Sequence, residues 1–261
     1  MPTGLFITAT DTGAGKTVVT AALALMLRKN GIFAAAVKPV ETGCAPAVRR
    51  PDDKYPAKPG GLILSDRSVP ASLIPQDGNF LKSTLCLPDP ICDITPVRYA
   101  APLAPLAAAE IEGRPFDYPA VKSAIASMSQ KYEFLLVEGI GGLMVPLSEN
   151  FSVRDMIIDL AMPAIIVCRA SLGTINHTLL TVEAALSRGI DVAGIIINHT
   201  NKTSPGAAGG NFPPSGLAEA TNPALLRKLS AVPVIGIVPF ISPINVHTLS
   251  EATNGLDYDI I

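Results

Sequence analysis

Short, continuous runs of apolar residues recur along the chain and predict the strands of a buried sheet. The runs do not alternate with polar residues, which is typical of strands that are covered on both faces. They are residues 5–9, 34–40, 134–139, 164–170, 192–199 and 234–240.

Segments with a helical pattern lie between these runs. They are residues 15–30, about 102–112, 118–131, 153–161, 174–188 and 222–230. Alternation of strand and helix is typical of a mostly parallel sheet with helices on both faces. We therefore predict a three-layer α/β fold in which residues 1–261 form a single domain.

Two segments break the rhythm and predict long surface loops. Residues 44–76 contain six prolines, and residues 200–216 are rich in Gly, Pro, Asn and Ser. Loops of this length in a compact domain are usually functional or disordered.

The composition narrows the possible partners and compartment. The chain is 48% apolar, enough for one sizeable core, while charged residues make up 16% and the net charge is -2. This balance argues against nucleic acid and membrane surfaces as partners. We read no signal peptide, and no apolar stretch approaches the roughly 20 residues that span a bilayer. The four cysteines form no C-x-x-C pair, so we expect reduced thiols and a cytoplasmic protein.

The first predicted strand leads into TATDTGAGKT, residues 8–17. A Gly-Lys-Thr that follows a strand and opens a helix is the context of a phosphate-binding loop, or P-loop. Backbone N–H groups and the helix dipole favour phosphate there. Lys16 would reach the terminal phosphates and Thr17 would ligate Mg²⁺. Where the usual pattern has its leading Gly, this chain has Thr10, and a solvated lysine at a helix start is the alternative.

A second lysine, Lys38, ends the run at 34–40. Pro39 favours an extended conformation for Lys38. A lysine at the mouth of a buried strand needs an anion, unless it reaches water at an edge of the sheet.

An acid ends the next apolar run. Glu138 follows FLLV, an arrangement similar to the Walker B strand, and would help to hold Mg²⁺ near Thr17. The alternative is a carboxylate that caps a helix. Glycines at 139, 141 and 142 permit close approach of a ligand, but they do not form the G-x-G-x-x-G pattern of a dinucleotide site.

Taken together, TDTGAGKT (10–17), KPVETG (38–43) and VEGIGGLMVPL (137–147) resemble the dethiobiotin synthetases, the ATP-dependent carboxylases of biotin synthesis. The loop of that family reads G-T-D-T-x-x-G-K-T, so Thr10 fits it. The departure is Ala9, where the family commonly has Gly. A methyl group there requires backbone angles that suit a residue other than glycine.

The resemblance extends to later segments. RASLGTINHTLLT (169–181) is similar to the family's segment near the dimer interface. IIINHTN (195–201) matches a strand that ends in the adenine-contacting Asn, here Asn198, and IVPF (237–240) is similar to the turn near the base.

The resemblance implies a P-loop NTPase fold, with ATP and Mg²⁺ as cofactors, and a set of site residues. The implied ATP contacts are Asp11, Thr12, Gly13, Ala14, Gly15, Lys16, Thr17, Val18, Asn198 and Pro239. The implied catalytic residues are Lys38, Lys16, Thr12 and Thr42. The implied substrate contacts are Thr42, Gly141, Gly142 and Asn176. A homodimer with substrate at its interface is implied as well.

The implied metal ligands are Thr17, Glu138 and an Asp that opens the helix after the variable loop. Asp66 and Asp77 are both candidates for that Asp. We favour Asp77, because an apolar pattern that can continue as a helix follows it and Asp is a good N-cap residue.

The family reaction converts 7,8-diaminononanoate, CO₂ and ATP to dethiobiotin, ADP and phosphate. It passes through a carbamate and a carbamic–phosphoric mixed anhydride, which the second amine closes to the ureido ring. Phosphoryl transfer needs mainly positioning and charge neutralisation, which lysines and hydroxyl donors provide.

The alternative function is a regulatory ATPase of the ParA/MinD kind. That class carries a lysine at the start of the loop, in K-G-G-x-G-K-T. This chain has Thr10, Asp11 and Thr12 in that region, so the signature lysine is missing.

Overall fold

A computed structural model of the protein describes residues 3–46, 73–202 and 216–257. The strands are β1 (Gly4–Ala9), β2 (Ala34–Val37), β3 (Val40–Glu41), β4 (Ala45–Pro46), β5 (Leu73–Ile74), β6 (Val97–Arg98), β7 (Phe134–Glu138), β8 (Pro146–Ser148), β9 (Phe151–Ser152), β10 (Ala164–Arg169), β11 (Val192–Asn198) and β12 (Val234–Val238). The helices are α1 (Lys16–Lys29), α2 (Gln76–Thr84), α3 (Ile91–Ile94), α4 (Pro105–Glu112), α5 (Tyr118–Ser129), α6 (Val153–Leu160), α7 (Thr174–Leu186), α8 (Leu217–Leu229) and α9 (Val246–Glu251).

The central sheet has six strands in the order β12-β11-β10-β1-β7-β2, and all neighbouring pairs are parallel. Short two-stranded sheets are formed by β3 with β6, β4 with β5 and β8 with β9. The predicted α/β fold with a mostly parallel sheet is confirmed.

The central strands are buried on both faces. Every residue of β2 is buried, as are five of the six residues of β1. Because successive side chains of a strand point to opposite faces, burial of consecutive residues requires cover on both sides. Apolar residues of the strands and of α1 join one core, which includes Phe6, Leu23, Leu136 and Ile196, all fully buried. The apolar runs of the sequence are therefore continuous because the strands are covered on both faces of the sheet.

The predicted strand at 34–40 is wrong at its end. β2 stops at Val37, because Pro39 has no N–H to continue the ladder. The backbone N–H of Lys38 donates instead to the carbonyl of Ile94 at 2.8 Å. The chain then enters β3, which pairs with β6 in a separate small sheet. This break directs Lys38 out of the central ladder at the carboxyl edge.

Most predicted helices agree with the structure to within two residues, but two begin elsewhere. α4 begins at Pro105 rather than near 102, since proline is favoured in the first turn. α8 begins at Leu217 rather than at 222, so Pro223 lies inside the helix. Helices α3 and α9 were not among the predicted helices.

Most of the two predicted loops, 44–76 and 200–216, lies outside the described residues. Within the described part of the first loop, β4 and β5 pair antiparallel. A search of the described ranges finds no helix that is long and apolar enough to cross a membrane.

Candidate functional site

The loop between β1 and α1 lies at the carboxyl edge of the sheet, where β1 sits between β7 and β10. Its turn depends on two glycines with positive φ, Gly13 at +76° and Gly15 at +85°. A Cβ on Gly15 would lie 2.1 Å from Nδ2 of Asn198, so space as well as φ requires glycine there. The same Nδ2 donates a hydrogen bond to the carbonyl of Ala14 at 2.8 Å. The end of β11 therefore holds the loop that opens α1.

Ala9, the departure from the family pattern, lies inside β1 and not in the turn. It pairs with Val167 in the ladder and is fully buried. Among the described residues, the positive φ values outside glycine belong to Cys86 and Ala161. The backbone at Ala9 therefore suits a residue with a side chain, and its methyl group belongs to the core.

Lys16 opens α1 and turns inward. It is buried, and its Nζ donates to the carbonyl of Gly141 at 2.6 Å. Burial and the neighbouring charge of Lys38 lower the pKa of Lys16 to about 8, although the carboxylates of Glu138 and Asp77 act in the opposite direction. The ammonium of Lys16 is therefore poorly compensated by protein charge and well suited to an anionic ligand.

Lys38 and Glu138 form a buried ion pair. Nζ of Lys38 lies 2.6 Å from Oε1 of Glu138 and 3.2 Å from Oδ2 of Asp77, and it also donates to the carbonyl of Gly139 at 3.2 Å. Burial lowers the pKa of Lys38, but the two carboxylates outweigh burial and the pKa is raised overall. Lys38 is therefore held as a cation by anions and does not reach water at an edge of the sheet.

Oxygen atoms that suit Mg²⁺ converge at the end of β7. The hydroxyl of Thr17 donates to Oε1 of Glu138 at 2.7 Å. Asp77, on α2, lies beside the same cluster, since its Oδ2 is 3.2 Å from Nζ of Lys38. Oε2 of Glu138 is fully buried and has no hydrogen-bond partner among the described residues. No group of three or more His, Cys, Asp or Glu that could hold a metal is found in the described ranges. Mg²⁺ commonly uses one or two carboxylates together with substrate phosphates, so this donor set fits it.

Asp77 is the second residue of α2 and not its N-cap, which is Pro75, so the expected capping role of Asp77 is wrong although it does lie in the first turn of the helix. The backbone N–H groups of Asp77 and Gly78 donate to Oε1 and Oε2 of Glu41, each at 3.0 Å. Glu41 was not identified from the sequence, since its partners lie 36 and 37 residues further along the chain. The competing candidate Asp66 lies outside the described residues.

Asp11 and Thr12 lie on the exposed side of the loop. Oδ1 of Asp11 accepts the backbone N–H of Thr12 at 2.7 Å, and Oδ2 accepts from Arg169 at 2.9 Å. Arg169, the last residue of β10, was also missed from the sequence. Its role depends on β10 lying next to β1, which the order of elements along the chain does not reveal.

The glycines after β7 form the wall opposite the loop. A Cβ on Gly142 would lie 3.2 Å from the carbonyl oxygen of Thr10, and one on Gly141 would lie 3.4 Å from Oγ1 of Thr12. The two turns therefore pack with their backbones nearly in contact.

Other sequence-predicted residues stand apart from this cluster. Thr42 is half-buried beside Gly43, Asn176 is exposed in the first turn of α7, and Pro239 is exposed directly after β12. Within the described ranges, no hydrogen bond or ion pair joins these residues to Lys16, Lys38 or Glu138. Val18 packs against the core from α1.

Comparison with known proteins finds relatives along nearly the whole chain. A family model described as an AAA domain matches residues 3–248. An ATP-dependent dethiobiotin synthetase of Thermodesulfovibrio yellowstonii is 38% identical over 258 residues, which is 96% of this chain and 94% of the relative. One from Bacillus subtilis strain 168 is 36% identical over 246 residues, covering 94% of this chain and 91% of the relative.

The fold is also similar to a solved structure of the septum site-determining protein MinD from Pyrococcus horikoshii. The TM-score is 0.49 at 18% identity, covering 97% of this chain and 86% of that chain. A likeness at this level carries no information about activity.

The lowered pKa of Lys16 predicts that ATP binding takes up protons above pH 8. Free Lys16 loses its proton around pH 8, and the charge of the phosphates raises its pKa in the complex. ATP affinity should therefore fall by about tenfold between pH 7 and pH 9. Calorimetry in buffers of different ionisation enthalpy measures the uptake. As a control, Lys29→Met replaces an exposed lysine on the same helix and should leave the proton uptake unchanged. An ATP affinity of the wild type that does not depend on pH contradicts the prediction.

Replacement of the strand residue Ala9 should cost stability without improving the loop. Ala9→Gly removes a buried methyl group and frees the backbone, which together should lower the free energy of unfolding by about 1–2 kcal/mol. ATP affinity should stay within about twofold of the wild type, because φ at this position does not require glycine. Urea unfolding and ATP titration check both parts. A large gain in ATP affinity would show that the methyl group distorts the loop.

Proposed function

The chain belongs to the family of ATP-dependent dethiobiotin synthetases, and from this membership and the site geometry we propose how it carries out the family's reaction. The enzyme is an ATP-dependent ligase that forms dethiobiotin from 7,8-diaminononanoate and CO₂, with ADP and phosphate as the other products. The observation that carries the proposal is the convergence of Lys16, Lys38 and Thr17 on the end of β7.

ATP binds at the loop that opens α1. Backbone N–H groups of the loop and Lys16 hold the phosphates, because the buried charge of Lys16 is poorly compensated by protein groups and an anion stabilises it. The residues proposed to contact ATP are Asp11, Thr12, Gly13, Ala14, Gly15, Lys16, Thr17, Val18, Asn198 and Pro239. Asn198 is proposed to contact adenine on the resemblance to the family, and its hydrogen bond to the carbonyl of Ala14 supports a position beside the loop.

Thr17, Glu138 and Asp77 are proposed to hold Mg²⁺. The unpartnered Oε2 of Glu138 and the hydroxyl of Thr17 beside Oε1 support this assignment. When bound, Mg²⁺ supplies neutralisation of the phosphate charge.

Lys38 is proposed to stabilise the reacting anions. One substrate amine forms a carbamate with CO₂, a carbamate oxygen attacks the γ-phosphorus, and ADP leaves. The second amine then attacks the carbamoyl carbon and phosphate leaves. Lys38 remains protonated because its pKa is raised, so it offsets negative charge on the carbamate and on the transferring phosphoryl group.

Hydroxyl and backbone groups complete the proposed substrate site. Thr12 and Thr42 donate hydrogen bonds to developing negative oxygens. Gly141, Gly142 and Asn176 are proposed to contact the diamine substrate on the resemblance to the family. The glycines bring the backbone close to the loop, and Asn176 lies in the first turn of α7, after β10.

The function and the role of Lys38 can be tested together. Purified protein should release ADP only when diaminononanoate and bicarbonate are both present. Lys38→Ala should lower kcat by at least about 100-fold and leave ATP affinity within about threefold, whereas Lys16→Ala should impair both. Lys122→Ala, an exposed lysine of α5, is the control.

Thermal unfolding of each variant should accompany these assays, because Lys38→Ala leaves two carboxylates without their partner. Dethiobiotin formation near the wild-type rate in Lys38→Ala contradicts its role. ATPase activity that responds to DNA or membranes instead of the diamine contradicts the function.

We also propose that residues 1–261 act as one cytoplasmic domain. The one core formed by the described residues supports a single domain, and the free thiols of Cys44, Cys86, Cys92 and Cys168 support a reducing compartment such as the cytoplasm. Limited proteolysis and cell fractionation test these two points.

A homodimer is proposed from the resemblance to the family, and several exposed apolar residues support it. Leu172 is 89% exposed in the turn after β10, and Leu180 on α7 and Met144 after β7 are also exposed. Exposed apolar side chains of this size are common at protein–protein interfaces.

The dimer predicts a solution mass twice 27.1 kDa. Leu172→Asp combined with Leu180→Asp should shift the protein to monomer in sedimentation experiments, because charge in a packed interface is costly. Leu229→Asp, an equally apolar exposed site on α8, should leave the mass unchanged. A monomeric wild type contradicts the proposal.

A further inference from the structure

Glu41 joins the strand segment that carries Lys38 to the helix that carries Asp77. It is 5% exposed, and both of its carboxylate oxygens accept backbone N–H groups at the start of α2. We propose that Glu41 is a positioning residue that fixes Asp77 for Mg²⁺ binding; this rests on the proposed function, in which Asp77 is a metal ligand.

α2 lacks a cap of its own, and Glu41 supplies one from another element. The N-cap residue is Pro75, and no side-chain cap hydrogen bond is made there. The N–H groups of Asp77 and Gly78 belong to the second and third positions of the helix, the donors that a capping side chain normally satisfies. A carboxylate at this end also interacts favourably with the helix dipole. The start of α2 is therefore held by Glu41.

Asp77 needs such an anchor because packing does not immobilise it. Its side chain is 44% exposed, and its carboxylate has Lys38 as its ion-pair partner at 3.2 Å. Lys38 and Glu41 lie three residues apart in one segment, so this segment holds Asp77 at two points. Lys38 holds the carboxylate, and Glu41 holds the backbone.

The opposite side of the helix start is also fixed. A Cβ on Gly78 would lie 2.1 Å from Oγ1 of Thr95 and 3.1 Å from its Cβ, so the first turn of α2 packs closely on the residue after α3. With Thr95 on one side and Glu41 on the other, the direction in which Asp77 leaves the helix is defined. The Glu41 carboxylate is the part of this arrangement that can be altered with the least change of volume.

Glu41→Gln should weaken the Mg²⁺ site selectively. The substitution keeps the size of the side chain but replaces one acceptor oxygen with an NH₂ group that faces a backbone donor. The Mg²⁺ concentration for half-maximal turnover should rise by about tenfold, as for other residues that orient metal ligands. At saturating Mg²⁺, kcat and the KM for ATP should change by less than about threefold.

Two measurements do not depend on turnover. Amide hydrogen exchange of the segment 76–84 should be faster in Glu41→Gln than in the wild type, because the N-terminal cap is weakened. Calorimetry of ADP binding at varied Mg²⁺ should show the same increase in the Mg²⁺ requirement. A role in general stability alone would lower the melting temperature without moving this requirement.

The matched control is Glu112→Gln. Glu112 also accepts a backbone N–H, that of Ala101 at 2.9 Å, and it carries the same charge. Its substitution should leave the Mg²⁺ requirement and the exchange of 76–84 unchanged. Should Glu41→Gln fail to fold, Gly78→Ala perturbs the same helix start through Thr95 and should raise the Mg²⁺ requirement in the same direction.

The outcomes separate this proposal from the proposed function. An unchanged Mg²⁺ requirement in folded Glu41→Gln, or an equal change in Glu112→Gln, overturns the role of Glu41. If the wild type forms no dethiobiotin but Glu41→Gln still raises the Mg²⁺ concentration needed for ADP binding, the proposed function is wrong and the positioning role of Glu41 is supported.

Discussion

Two opposite charges that are almost fully removed from water meet at the carboxyl edge of the sheet. Nζ of Lys38 and Oε1 of Glu138 are 2.6 Å apart, and each is the residue that follows a paired valine, Val37 and Val137. The parallel register of β2 and β7 therefore brings the charges together. A slip of one residue would turn every side chain of β2 to the other face and leave both charges unpaired in the interior.

The carboxylate of Glu138 joins the Lys38 side of the site to the loop that opens α1. Oε1 of Glu138 accepts from Lys38 and from Thr17, so one oxygen links β2 and β7 to the first turn of α1. A buried ion pair offsets its desolvation only with the help of further hydrogen bonds. Thr17 gives one to Oε1 of Glu138 and the carbonyl of Gly139 accepts one from Lys38, while Oε2 of Glu138 has no partner among the described residues. The loop, the second lysine and the acidic strand thus form one electrostatic unit rather than three independent motifs.

The sequence was sufficient for those parts of the fold that depend on local pattern. Continuous apolar runs predicted the strands because both faces are covered, and a lysine and an acid at strand ends marked the edge where the site lies. Strand order could not be predicted, because the insertion of β7 between β1 and β2 is a property of packing. Glu41 and Arg169 were missed for the same reason, since each acts on a partner that only the folded sheet brings near. The predicted end of β2 lies three residues beyond the observed end at Val37, although Pro39, which cannot donate to a strand ladder, indicated the earlier end.

The contact of Asn198 with the phosphate-binding loop has a consequence for how such a site changes over time. Its amide group occupies the space that any side chain at position 15 would need, and it also supports the backbone at Ala14. The residue proposed to contact the base is thus part of the structure that is proposed to bind the phosphates. On this proposal, a substitution at position 198 would alter base recognition and loop geometry together, so new nucleotide preferences would have to arise from neighbouring positions first.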